Sequence, residues 1–296
     1  MRKDLKLKLW LNEWLSLYKV HTLKPSTFER YEFIVNMIDI DVALCDINAE
    51  QLQSFFNGLY ISGYSYSTMR QAVTVLRQAV RKACLLGYVS ADKLVIFELV
   101  EIPHDKPKQI VSFSAAEVSS ILSVCDDYKY GDLYKFLLYT GMRVGECIAL
   151  RWSDVDIDNK ILSISQTDYR GQIQSCKTDN GLRVIPLSRQ SLDILQGISC
   201  KNIVNMTYVF AHPNGKRYSY RSILDNWHRL LLSVGVPKSG LHRLRHTYAS
   251  ECLRCGVSPV VLAKLLGHAD SSFTLRQYCD CQFDDMSKSV NSVFFN

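Results

Sequence analysis

Two stretches of this chain hold side chains suited to chemistry on a phosphodiester. One is Thr-Gly-Met-Arg143-Val-Gly-Glu146; the other runs from His242-x-x-Arg245 through Gly267-His268 to Tyr278. Two guanidiniums hold phosphate oxygens through paired donors and stay charged at any working pH, so they suit the extra negative charge of a five-coordinate phosphorus. Histidines move protons near neutrality. A tyrosine becomes a nucleophile once cations or a base favour its phenolate, and it can then form a covalent phosphotyrosine.

Each piece has an ordinary explanation when taken alone. His242 and Arg245 lie three apart at the start of a helix, about 100–160° around from a Leu244/Tyr248/Cys252/Cys255 stripe. That placement argues against burial and puts free backbone N–H groups of the first turn beside them. His268 follows a helix stop at Gly267, where a capping histidine is common, and a lone tyrosine such as Tyr278 is usually packing. The ordered set carries more weight than any member.

The elements that must position these groups fall into two halves. Apolar residues at helical spacing over 4–19, Pro25-Ser26-x-x-Glu29 with a capping box, Asn48-Ala-Glu-Gln51 and Thr68-x-x-Gln71 predict four helices within the first 100 residues. This is the pattern of a small helical domain over residues 1–100. Residues 101–112 hold two prolines and no periodicity, and read as a linker. From 113 to 296 a second domain is expected. Ser114-x-x-Glu117 caps a helix, residues 131–140 form another, and Gly141-Met-Arg143 turns into a third running to Trp152. The period then changes to two over Ile161–Ser165, Gln172–Lys177 and Arg183–Leu187, three short strands joined by Tyr-Arg-Gly and Asp-Asn-Gly turns. Helices resume after Ser188. The fold class expected is mainly α with a small antiparallel β-sheet, α+β.

On the fourth helix Arg70, Arg77 and Arg81 fall within about 40° of one another, with Lys82 beside them and no acid between Arg70 and Lys82. Val73, Leu76, Val80 and Ala83 make a separate apolar stripe. Two readings fit: a solvated face, or a helix laid along a DNA groove with its arginines on phosphates.

The 296 residues carry 35 Lys+Arg against 29 Asp+Glu, and the net +6 permits nucleic-acid binding without requiring it. No apolar run reaches the roughly 18 residues of a membrane span, and no signal peptide is apparent, so a cytoplasmic location is expected. The ten cysteines then read as reduced thiols. Cys252 and Cys255 read as core packing rather than a metal site, and Cys279 and Cys281 flank Tyr278. No metal or cofactor is expected, since the chain has no nucleotide-binding loop and no acidic cluster for magnesium.

The set resembles the tyrosine recombinase, or phage-integrase, family. The matching pieces are Leu-Tyr-Thr-Gly-Met-Arg143-Val-Gly-Glu146, Lys177-Thr-x-x-Gly-x-Arg-x-Ile-Pro-Leu187, Leu-His242-Arg-Leu-Arg245-His-Thr-Tyr-Ala-Ser250, and Leu-Leu-Gly267-His268 with Thr274 and Tyr278. The resemblance implies that Arg143 and Arg245 clamp the scissile phosphate, with His268 as a third donor. Tyr278 would attack the phosphorus, Lys177 would protonate the leaving 5′-oxygen, and His242 would accept and return the tyrosine proton. Glu146 would support the site from behind. It further implies a helical DNA-clamping domain, four protomers on two double-stranded recombination sites, and a nucleoid-associated protein in a prokaryotic cell.

The layout resembles the short, two-domain Xer-like members. The tail repeats Met286, Val290, Val293 and Phe294 at helical spacing, so a C-terminal helix over about 284–295 needs a surface to cover it. Folding back on its own domain is one solution; docking into a neighbouring subunit, as in the family, is the preferred one. A type IB topoisomerase and a non-catalytic DNA-binding accessory protein on the same fold are the alternatives.

Overall fold

The computed structural model of the protein describes residues 4–104, 112–175, 181–201 and 206–267. Lys177, His268, Tyr278, Cys279, Cys281 and the 284–295 helix lie outside the described residues. The chain divides into two compact units, Met1–Lys108 and Gln109–Asn296. Among the described residues no helix is long and apolar enough to cross a membrane.

The first unit is built on α1 (Leu7–Tyr18), α2 (Pro25–Met37), α3 (Ala49–Ile61) and α4 (Tyr66–Leu85), followed by a 3-10 turn over Ala91–Phe97. Asn48 and Gln51 exchange hydrogen bonds in a capping box that starts α3. At α2 the expected box does not form. Pro25 already occupies the first turn, where its missing N–H costs nothing, so Ser26 sits inside the helix instead of capping it. The start of α4 likewise lies earlier than Thr68, because the Ser65 hydroxyl accepts from the Thr68 amide. The core is filled by Trp10, Trp14, Ile34, Phe56 and Leu76, and the Trp10 indole donates to the Ala79 carbonyl at 2.9 Å. Val73 is only half-buried; Met69, Ala72, Val75, Ala79, Val80 and Ala83 complete the buried face of α4.

Both ends of the expected 101–112 linker are held. Gln53 pairs with the backbone of Glu101 through two 2.8 Å hydrogen bonds, and Ile102 packs on the core of the first unit. At the other end, the Phe113 amide donates to Thr247 Oγ1 at 2.9 Å, within the second unit.

That second unit contains α5 (Ala115–Val124), α6 (Gly131–Thr140), α7 (Val144–Ala149), strands β1 (Val155–Asp156), β2 (Ile161–Ile164), β3 (Gln166–Tyr169), β4 (Gln172–Ser175) and β5 (Arg183–Pro186), and helices α8 (Arg189–Lys201), α9 (Tyr220–Ser233), α10 (His242–Arg254) and α11 (Pro259–Leu266). The mainly α architecture with small antiparallel sheets is the one expected. Strand order is β1-β2-β5 in one sheet, while β3 and β4 form a separate hairpin. The Tyr-Arg-Gly turn therefore joins β3 to β4, not the strand at 161 to the strand at 172. Arg170 (φ 49°) and Gly171 (φ 84°) give that two-residue turn its left-handed backbone. Buried α6 supplies Tyr134, Phe136 and Leu137 to a core shared with Trp227 of α9 and Leu244 of α10.

Candidate active site

Helix α6 ends on Gly141, whose left-handed backbone (φ 64°) turns the chain sharply so that Arg143 becomes the first capping residue of α7. Glu146, one turn on, reaches back. Its carboxylate accepts from the Arg143 amide at 2.9 Å and from the Arg143 guanidinium at 2.7 Å. The Glu146 side chain is 2% exposed and that of Arg143 is 41% exposed, so the arginine keeps an edge toward solvent while its acid is sealed behind it.

A second arginine meets the same acid. Arg183, on β5, forks onto Glu146 with bonds of 3.1 and 2.8 Å and is itself almost fully buried. Burial alone would raise the Glu146 pKa; the hydrogen bond and charge of Arg183, followed by Arg143, overcome this and hold it at about 2. Glu146 is therefore an obligate carboxylate at neutral pH.

Helix α10 brings in the other predicted groups. Arg245 is buried, contrary to the exposed position its angular offset from the apolar stripe suggests. Burial is eased because backbone carbonyls take both of its terminal nitrogens: Nη1 donates to Gly141 O at 2.8 Å and Nη2 to Leu266 O at 2.6 Å. His242 lies at the surface end of α10, with its ring 4.8 Å from that of His246. Desolvation, then His246, Arg245 and Arg143, push its pKa down to about 4. The ring is neutral at pH 7 and can accept a proton. The interaction of Arg143, Arg245 and Glu146 with this one imidazole places all four predicted groups in one site.

The first turn of α10 is less open than the sequence suggests. The Arg243 and Leu244 amides already donate to Gly240 and Leu241 at 3.0 and 3.1 Å. Anion binding here thus falls to side chains. Cys252 is half-buried in a small cluster with Tyr248, Leu262 and Leu266, whereas Cys255 is exposed at the end of the helix and is not core. Ser258-Pro259 and Gly267 bound α11 as expected: the Ser258 hydroxyl accepts from Val261 N, and Gly267 is left-handed at φ 68°.

The basic face of α4 is real but not uniform. Arg70, Arg77 and Arg81 are exposed, and the Lys82 ammonium lies 4.3 Å from the Tyr18 ring centroid. Arg70 stands over Tyr66, and Arg77 is ion-paired with Glu98. The helix itself lacks acids, yet its middle arginine receives one from the segment that follows.

Sequence reasoning assigned no role to Arg183 and used Gly141 only as a turn between helices. An arginine within a short alternating strand, six residues after Lys177 in the quoted motif, was the available signal. Gly141 stood in the first motif, but its close fit depends on Tyr248, more than a hundred residues away.

Residues 107–284 match the phage integrase family. A tyrosine recombinase XerC-like protein of Caldanaerobacter subterraneus subsp. tengcongensis is 26% identical over 93% of this chain and 79% of its own length. Among solved structures, the Tn1549 transposon integrase in complex with transposon right end DNA superposes with a TM-score of 0.85 at 20% identity, covering 98% of this chain and 99% of that one. A lambda integrase from a tetramer bound to a Holliday junction gives 0.73 at 19% identity, over 94% of this chain and 78% of its own. By its family match and shared fold, the chain that builds this site belongs to the phage integrase family and is a tyrosine-type site-specific recombinase.

Proposed function

We propose that this recombinase cuts and rejoins duplex DNA through a phosphotyrosine at Tyr278, with Arg143 and Arg245 on the non-bridging oxygens of the scissile phosphate. The carrying observation is the meeting of three groups: Arg143 on the buried Glu146 carboxylate, Arg245 on the Gly141 carbonyl two residues before Arg143, and His242 within electrostatic reach of all three charged side chains. Two fixed cations stabilise charge that grows in the transition state, and the neutral imidazole accepts the phenol proton as the tyrosine oxygen attacks. The P–O5′ bond breaks while the P–O(Tyr) bond forms. Lys177 supplies the proton to the departing 5′-oxygen, leaving a 3′-phosphotyrosine and a free 5′-hydroxyl. His268 adds a third donor to the phosphate. Because one ester replaces another, the step runs in reverse without nucleotide hydrolysis, and the exchanged strand is sealed by the same groups.

Duplex recombination sites are the substrate and a tetramer on two sites is the working assembly, readings supported by the DNA-bound Tn1549 and lambda integrases of the same fold. Residues 1–100 form the helical clamp, with Arg70, Arg77, Arg81 and Lys82 toward the backbone. Residues 101–112 act as the linker, residues 113–296 as the catalytic domain, and the 284–295 helix docks into a neighbouring protomer. The protein acts in the cytoplasm, at the nucleoid.

The test is trapping on a suicide substrate carrying the recombination site. The native chain forms a covalent protein–DNA adduct and Tyr278→Phe forms none; an adduct with the phenylalanine variant excludes Tyr278 as nucleophile. Relaxation of supercoils without sequence preference, unchanged by deletion of residues 284–296, would assign the protein to topoisomerase chemistry instead.

A further inference from the structure

We infer that Arg183 is a positioning residue of this site, one that aims Arg143 through Glu146 while fixing the chain that leads to His268. The inference rests on the reading of Arg143 and Arg245 as the phosphate clamp, and it extends that reading to a residue outside the predicted catalytic set.

The geometry excludes Arg183 as a third clamp. Its Nε donates to Leu265 O at 2.8 Å, its Nη1 to Glu146 Oε1 at 3.1 Å and Gly181 O at 3.4 Å, and its Nη2 to Glu146 Oε2 at 2.8 Å. All three nitrogens are engaged, two of them by the Glu146 carboxylate, whereas Arg245 meets only neutral carbonyls through its two terminal nitrogens. Arg183 is turned to protein on each side. Arg143 presents the opposite case, a single guanidinium bond to Glu146 and a large exposed edge.

What Arg183 contributes is orientation and charge. A planar fork on both carboxylate oxygens holds the plane of Glu146, and that plane sets the direction of the Arg143 guanidinium. Were Glu146 to face Arg143 alone, its negative charge would cancel the arginine's at the point where phosphate must bind. With Arg183 present, one buried carboxylate is shared by two cations, and the group retains a net positive charge toward the substrate. The third contact extends the reach of the residue. Arg183 takes the carbonyl of Leu265 and Arg245 takes that of Leu266, so the last turn of α11, immediately before Gly267 and His268, is fastened to Arg183 and to one clamp arginine, Arg245. The Gly181 contact closes the start of β5, the strand that follows Lys177 in the chain.

A double-mutant cycle on the full-length chain tests this, with single-turnover adduct formation at saturating DNA as the readout. R183M is expected to slow cleavage by about 10–100-fold, the scale of a misplaced catalytic group, with DNA affinity within about twofold of native. R183K, which keeps the charge but cannot fork, is expected to fall between them. The decisive comparison is R183M/E146Q against E146Q: if Arg183 acts through Glu146, the second change adds less than about threefold. Removing both partners also avoids a stranded buried charge, so the double variant keeps the test open if R183M alone does not fold. Additive losses, or an R183M rate within about twofold of native, overturn the inference.

A second readout does not depend on DNA chemistry. In ¹⁵N-arginine spectra of the free protein, the Arg143 guanidinium signals of R183K and R183M/E146Q are expected to move toward those of mobile, solvated arginine. Unchanged Arg143 signals overturn the positioning role. Displaced signals in a native chain that forms no adduct would overturn the phosphate-clamp reading and leave the Arg183 coupling standing.

Discussion

Gly141 lies so close to Tyr248 that a β-carbon on the glycine would come within 2.3 Å of the ring's Cδ1. The same glycine closes α6 with a left-handed backbone and gives its carbonyl to Arg245. Three demands therefore meet on one residue without a side chain. Gly141→Ala should lower stability by on the order of 2–4 kcal/mol, combining left-handed strain with overpacking against the ring. Urea denaturation measures that loss. Adduct formation under conditions where the variant is still folded should fall further, because the shift displaces the Arg245 acceptor.

The buried Glu146 carboxylate makes stability depend on acid. Its folded pKa of about 2 lies below the value of roughly 4.3 for an unfolded glutamate, so its contribution is complete above the unfolded pKa and is lost as pH falls through about 2. Glu146→Gln should therefore flatten the fall in stability between about pH 4.5 and pH 2. Denaturant midpoints across that range for both proteins give the comparison, and parallel curves would contradict it.

His242 should behave as a neutral base well below the usual histidine range. With its folded pKa held near 4 and an unfolded value near 6.5, the free protein favours the neutral ring, and stability is lost as pH falls through that window. Its imidazole Hε1 signal is expected to stay constant from pH 8 to about 5.5 and to move only below that. A midpoint near 6.5 would contradict the desolvated, cation-flanked setting assigned to this ring.

On α4 the arginines should differ from one another. Arg81→Gln is expected to reduce the salt slope of DNA binding by about one. Arg77→Gln should reduce it less, because Glu98 already competes for that side chain. Glu98→Gln should tighten binding at low salt. Equal slopes for all three variants would return the helix to a solvated surface.

Local rules made much of this chain legible. The Ser114/Glu117 box, the Gly141 and Gly267 stops and the Ser258-Pro259 start each depend on residues within one turn, and each forms as expected. What escaped were relationships set by distant partners. Helix α2 starts at Pro25 as expected, but its box does not form, because Lys24 takes the cap position and Ser26 lies within the first turn. The strand after residue 161 was paired with the wrong neighbour, since periodicity does not distinguish β2 with β5 from β3 with β4. Arg245 looked exposed by its angular position, but carbonyls of Gly141 and Leu266, on other elements, receive it. The role of Arg183 was invisible for the same reason: it exists only once β5, α7 and α11 meet.

The attachment of Phe113 to α10 has a mechanical consequence. Arg243, beside His242, stacks its guanidinium over the Phe113 ring at 3.9 Å and donates to Ser112 O at 3.3 Å, while Thr247 takes the Phe113 amide. Arg243 also pairs with Glu117 of α5 at 3.4 Å, so a displacement of the chain at Ser112 bears at once on α5 and on the helix that carries His242 and Arg245. The entry of the second unit is tied to the helix that carries the site, so tension at Ser112 would reach His242 and Arg245 as a brake cable reaches its wheel.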